Sequence, residues 1–111
     1  MSAALEIVIQ HRELITATKQ QLLKDFLAVG IRLELNNEVD RKAETIVAQI
    51  VSAISSPSLT ASTLQQLIYR VDLSEKQVQK CANKEALAYA ILEREALKVY
   101  IKQQYKAHLE G

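Results

Sequence analysis

Two glycines and one proline in 111 residues leave this chain few places to turn. An all-β fold needs turn residues roughly every 8–12 positions, whereas a helical chain needs only a handful. The three that exist, Gly30, Pro57 and Gly111, are too widely spaced for a sheet of short strands. Apolar residues at 49% and charged residues at 24% are ordinary for a globular chain and too rich in core formers for disorder. The length suits one domain, so residues 1–111 are expected to form a single helical unit.

Hydrophobic periodicity places the helices. Leu5, Val8, Ile9, Ile15, Leu22, Leu23, Phe26 and Leu27 recur at helical spacing, which predicts one long first helix over residues 2 to about 29, closed by a left-handed Gly30. Residues 31–35 (Ile-Arg-Leu-Glu-Leu) alternate apolar and charged side chains. With no partner strand elsewhere, they read as an extended connector lying on the bundle. Asn36 or Asn37 is expected to cap a second helix, with Glu38 and Asp40 in its first turn and Val39, Ala43, Ile46, Val47, Ile50, Ala53 and Ile54 as its stripe. Pro57 stops it.

Thr60 or Ser62 then starts a short third helix that buries Leu64, Leu67, Ile68 and Val71. Ser74-x-x-Gln77 is a capping box opening a second short helix through Cys81, and Asn83 caps a last helix running to about Leu109. The expected fold is all-α, an irregular bundle of three main helices plus two short ones.

The last helix is apolar in two groups. Leu87, Ala90, Ile91, Leu97, Ile101, Tyr105 and Leu109 share one direction, and Ala88, Tyr89, Leu92, Ala96, Val99 and Tyr100 lie opposite. Such a helix is central in a bundle or shared between a core and a partner. At ~26 residues it is roughly 39 Å long, against a diameter of roughly 34 Å for a domain of this size, so its end is expected to project.

Arg94 and Lys98 fall inside the first apolar group, just as Arg12 and Lys19 interrupt the first helix. A buried unpaired charge costs several kcal/mol, so each needs water or a partner, with Asp72 and Glu75 the nearest carboxylates by topology. An Asp72–Arg94 ion pair is therefore expected. The alternative is a basic groove that receives an acidic segment or an anion.

Leu67-Ile68-Tyr69-Arg70-Val71-Asp72-Leu73-Ser74-Glu75, followed by Ala90-Ile91-Leu92-Glu93-Arg94-Glu95-Ala96-Leu97-Lys98-Val99, resembles a group of short, uncharacterised all-helical proteins of Bacteroidota-type bacteria. The resemblance covers roughly residues 64–106 and implies a helical fold, with no activity attached to it.

Signatures of catalysis are missing from the sequence. There is no glycine-rich phosphate loop, no His-Glu-x-x-His and no Cys-x-x-Cys, and the residues three before His11 and His108 are Val8 and Tyr105 rather than glutamates. No catalytic residue, metal or cofactor is expected; both histidines read as surface residues and Cys81 as a small core side chain. A net charge of +1 advertises neither nucleic acid nor a membrane, and no apolar run is long enough to span one. The single cysteine and the lack of a basic leader suit the cytoplasm.

The expected function is a non-catalytic protein–protein interaction module. Its candidate binding residues are Arg94, Lys98, Tyr100, Lys102, Tyr105 and Lys106, and a homodimer is compatible with the pattern. The alternative partner is a nucleic acid tracked by the Arg94–Lys98–Lys102–Lys106 ridge, with Tyr100 and Tyr105 stacking on bases.

Overall fold

The structure is a computed structural model that describes residues 2–35 and 42–110. Among the described residues six helices follow one another: α1 (Ala3–Gln10), α2 (Arg12–Ala28), α3 (Ala43–Ile54), α4 (Ala61–Val71), α5 (Glu75–Gln79) and α6 (Lys84–Glu110). The described residues contain no strand, and the molecule measures 46 × 30 × 25 Å. At 1.5 Å per residue α6 is roughly 40 Å long, so it runs most of the long axis, and it touches all five other helices.

The single long first helix expected from the periodicity is broken at His11, whose backbone is extended (φ −118°, ψ 114°). Neither glycine nor proline makes this break; the phase of the stripe does. In one continuous helix the buried pair Leu5 and Val8 would be offset by roughly 50° from the face later formed by Ile15, Leu22 and Phe26, and Arg12 would sit beside Leu5. The interruption lets each segment turn its own face inward and leaves Arg12 exposed. Local bonds stabilise both ends of α1. The Ser2 hydroxyl accepts from Leu5 N–H, the His11 N–H donates to Val8 O, and His11 Nδ1 donates to Ile7 O at 2.8 Å.

Gly30 (φ +78°) ends α2 as expected, in a full Schellman motif. Ile31 N–H reaches Phe26 O and Gly30 N–H reaches Leu27 O, both at 2.9 Å, while Ile31 and Phe26 are buried. The connector follows with Ile31 and Leu33 buried and Arg32 and Glu34 exposed. The proposed caps Asn36 and Asn37, and Glu38, Val39 and Asp40, lie outside the described residues. Within α3 the stripe is as read: Ala43, Ile46, Val47, Ile50 and Ile54 are buried and Ala53 half-buried.

Thr60, not Ser62, caps α4, accepting from Thr63 N–H at 3.1 Å. Leu67 and Val71 are buried, whereas Leu64 and Ile68, expected to be buried, are half-exposed flanks of the core. The Ser74–Gln77 capping box forms both of its bonds. The helix it opens stops at Gln79, short of Cys81, whose half-buried thiol donates to Gln77 O. Asn83 Oδ1 accepts from Ala86 N–H at 2.8 Å and starts α6.

Candidate functional site

The two apolar groups of α6 are the flanks of one broad face. Taking Leu87 as zero, Ile91 lies at roughly 40°, Ala88 at 100°, Leu92 at 140° and Ala96 at 180°, and all five are buried. The centre of that face, at roughly 80°, is Glu95. Its side chain is 0% exposed. Opposite it stands Asp25 of α2, 2% exposed, in the same row as Thr18 and Leu22.

Donors converge on Asp25. Lys98 Nζ donates to Oδ2 at 3.0 Å, Arg70 Nε of α4 to Oδ1 at 3.2 Å, and Gln21 Nε2 to both oxygens at 3.1–3.2 Å. Glu95 is served differently. Its Oε1 is ion-paired with Lys98 Nζ, one turn away, yet neither carboxyl oxygen receives a well-aligned hydrogen bond among the described residues. Burial pushes the Glu95 carboxyl up to about 8, and its hydrogen bond to Asp25 adds to this while Lys98 opposes it. At Asp25 burial also acts upward, but hydrogen bonds from Glu95, Gln21 and Lys98 outweigh it and hold the group below its ordinary 3.8. The pair therefore divides its labour: Asp25 carries the charge, and Glu95 is the neutral acid that donates to it.

Arg94 lies at the edge of the same face, roughly −20° from Leu87, and pairs with Asp72, Nη2 to Oδ2 at 2.8 Å. Asp72 is mostly exposed and Arg94 partly so, while Arg94 Nε is buried with no hydrogen-bond partner among the described residues. Asp72 also occupies the position that Gly30 holds at the end of α2. It is left-handed (φ +74°), with Leu73 N–H bonded to Ile68 O and Asp72 N–H to Tyr69 O. Aspartate tolerates this conformation better than most side-chain-bearing residues, at a cost relative to glycine.

Beyond Tyr100 the character of α6 changes. Every described side chain from Ile101 to Leu109 is exposed, including Ile101 (54%), Tyr105 (64%) and Leu109 (67%). These three are spaced four apart and form a single stripe. The face turned towards α2 is the polar one. Val99, Lys102, Gln103 and Lys106 line a cleft of about 390 Å³ whose α2 wall is mixed, with Leu14 and Ala17 beside Glu13, Gln20, Gln21 and Lys24. Normal amphipathic order is thus reversed, with polar side chains towards the neighbouring helix and apolar ones towards solvent.

Of the six residues singled out for binding, Arg94 and Lys98 are held by the chain's own carboxylates and Tyr100 packs half-buried on the core. Lys102, Tyr105 and Lys106 are exposed. The partner of Lys98 is neither Asp72 nor Glu75 but the Asp25–Glu95 pair. A signal existed, because Glu95 stands three after Leu92 and seven after Ala88, squarely in the stripe. His11 and His108 are exposed, and the described residues contain no cluster able to hold a metal and no helix long and apolar enough to cross a membrane. Comparison with protein-family models, curated proteins and solved structures finds no match to this chain.

Proposed function

We propose that the chain is a non-catalytic interaction module of the bacterial cytoplasm, which presents the second half of α6 to another protein. The observation that carries this reading is the stripe of Ile101, Tyr105 and Leu109 facing solvent while the polar side of the same helix faces α2. Tyrosine beside aliphatic side chains suits an interface, since it supplies area at small entropic cost. Lys102, Lys106 and His108 border the stripe, so the matching partner is an amphipathic helix with carboxylates along its edge. A two-fold pairing with a second copy would set the same lysines side by side, which favours a different protein over a homodimer.

Two features weigh against the other readings. The basic ridge proposed for nucleic acid loses Arg94 and Lys98 to internal carboxylates, leaving Lys102 and Lys106. The acid pair that invites an enzymatic reading is sealed in the core, out of reach of a substrate. The lone thiol, Cys81, is in keeping with a reducing compartment.

A photo-crosslinking residue at position 105 or 109, in the cells that make the protein, tests the proposal. The expected result is one discrete protein adduct from each position and none from position 69, where Tyr69 is more exposed still on α4. Equal labelling at 69 and 105 contradicts a specific surface, and crosslinking to nucleic acid supports the ridge instead.

A further inference from the structure

The least ordinary feature of the core has no part in the proposed binding surface. Two buried carboxyl groups, Asp25 and Glu95, stand 70 positions apart in the chain and are bridged by Lys98 Nζ, while among the described residues the well-aligned hydrogen bonds go to Asp25 and none to Glu95. Two negative charges in contact inside a core repel strongly, and a carboxyl–carboxylate hydrogen bond requires exactly one proton between them. We propose that Asp25, Glu95 and Lys98 form a proton-held clamp that seats α6 on α2, closed while the carboxyl pair keeps one shared proton and loosened when that proton leaves.

The surroundings are set up for this. From α2 the charged and polar groups facing Glu95 are Asp25 and Gln21; from α4 comes Arg70, which reaches Asp25 rather than Glu95; from α6 itself comes Lys98. Arg94, the next cation on α6, is turned to Asp72. The helices α1 and α3 bring apolar side chains to the core, Leu5 and Val8 from one and Ile46, Val47 and Ile50 from the other. From α5 and the residues after it come Val78 and the thiol of Cys81, which is bonded to Gln77 O. Lys98 is shared between both carboxyls and Arg70 serves Asp25 alone, so among the described residues Glu95 has no cation that it does not share. The position matters as well. The clamp is the last buried polar contact before α6 becomes wholly exposed, at the root of the α2–α6 cleft. Burial places the release in the mildly alkaline range, with Glu95 raised to about 8.

Carbon-13 NMR of the glutamate and aspartate carboxyls in the intact protein tests the clamp directly. Glu95 is expected to titrate near neutral to mildly alkaline pH, with Asp25 still ionised well below it, and amide protection in the second half of α6 is expected to fall at least tenfold across the same transition. A Glu95 carboxyl that titrates in the ordinary range below pH 5 overturns the proposal, as does a transition with unchanged protection of α6. A second variant separates the clamp from general alkaline weakening. Glu95→Gln, which donates a hydrogen bond but cannot ionise, is expected to abolish the pH dependence of protection, and an undiminished dependence in that variant contradicts the proposal. Should Glu95→Gln not fold, the wild-type titration still decides.

Discussion

The two halves of α6 are built from similar residues and put them to opposite uses. From Lys84 to Tyr100 the helix is the axis of the bundle, and its charged residues Arg94, Glu95 and Lys98 find partners within the chain. From Ile101 onward the same alternation of aliphatic, aromatic and basic side chains faces solvent. What differs is the neighbourhood. The first half is surrounded by α1, α3, α4 and α5 as well as α2, while the polar face of the second borders a cleft with α2. Composition alone therefore does not say whether a stripe on such a helix is core or surface; the number of helices placed around it does.

The sharpest way to break this contrast is to truncate matched side chains. Leu92→Ala, in the fully buried half, is expected to cost ~2–5 kcal/mol, and Ile50→Ala on the facing α3 a similar amount. Leu109→Ala is expected to change stability by less than about 0.5 kcal/mol. Chemical denaturation of the three variants measures this, and equal losses at Leu92 and Leu109 would erase the difference between the halves.

Next in size is the ion cluster. Asp25→Ala removes the acceptor on which Lys98, Arg70 and Gln21 converge and is expected to cost ~3–5 kcal/mol, because it leaves a cation in the core without its main counter-charge. Glu95→Leu has the opposite expectation, neutral or stabilising, since it replaces a desolvated acid by an apolar side chain of similar volume. If the two substitutions destabilise equally, the unequal roles of the carboxyls are wrong.

The dependence on pH sharpens the same point. The folded Glu95 carboxyl lies above its ordinary 4.5, so its contribution is fully present below pH 4.5 and is lost as pH rises towards about 8. In that window stability is expected to fall by ~1.4 kcal/mol per pH unit for a single group. Asp25 acts with the reverse sign, its contribution present above 3.8 and lost as pH falls through its lowered folded value. The expected optimum is acidic, between pH 3.8 and 4.5, and urea midpoints measured from pH 3 to 9 locate it.

Smallest is the Arg94–Asp72 pair, because Asp72 is largely exposed and solvent screens the interaction. A double-mutant cycle with Arg94→Ala and Asp72→Asn is expected to give a coupling of ~0.5–1 kcal/mol. Asparagine is the right replacement, since it keeps the tolerance for the left-handed backbone that alanine would lose. Strict additivity would mean the two side chains are neighbours without being partners.

What the sequence discloses follows the range of the interactions. Gly30, the Ser74–Gln77 box and Asn83 act within a few residues, and each is legible from spacing alone. The break at His11 is partly legible, because Arg12 stands where a continuous stripe would bury it, but nothing local marks the residue at which the helix yields. The Asp25–Glu95 pair is the hardest to see, since it joins positions 70 apart and each carboxylate on its own resembles a solvated charge on a helix. Lys98 in an apolar face states the need for a buried acid; only the packing of α2 against α6 says which acid answers it.

The contrast between the halves of α6 is tested most directly by a chain ending after Tyr100. It keeps the clamp, the Asp72–Arg94 pair and the half-buried Tyr100, and discards the exposed stripe. Denaturant unfolding of this chain beside the full-length protein is expected to give a loss of no more than ~1 kcal/mol and an unchanged cooperative transition. A truncated chain that unfolds, or that loses several kcal/mol, would place residues 101–111 in the core and contradict the account.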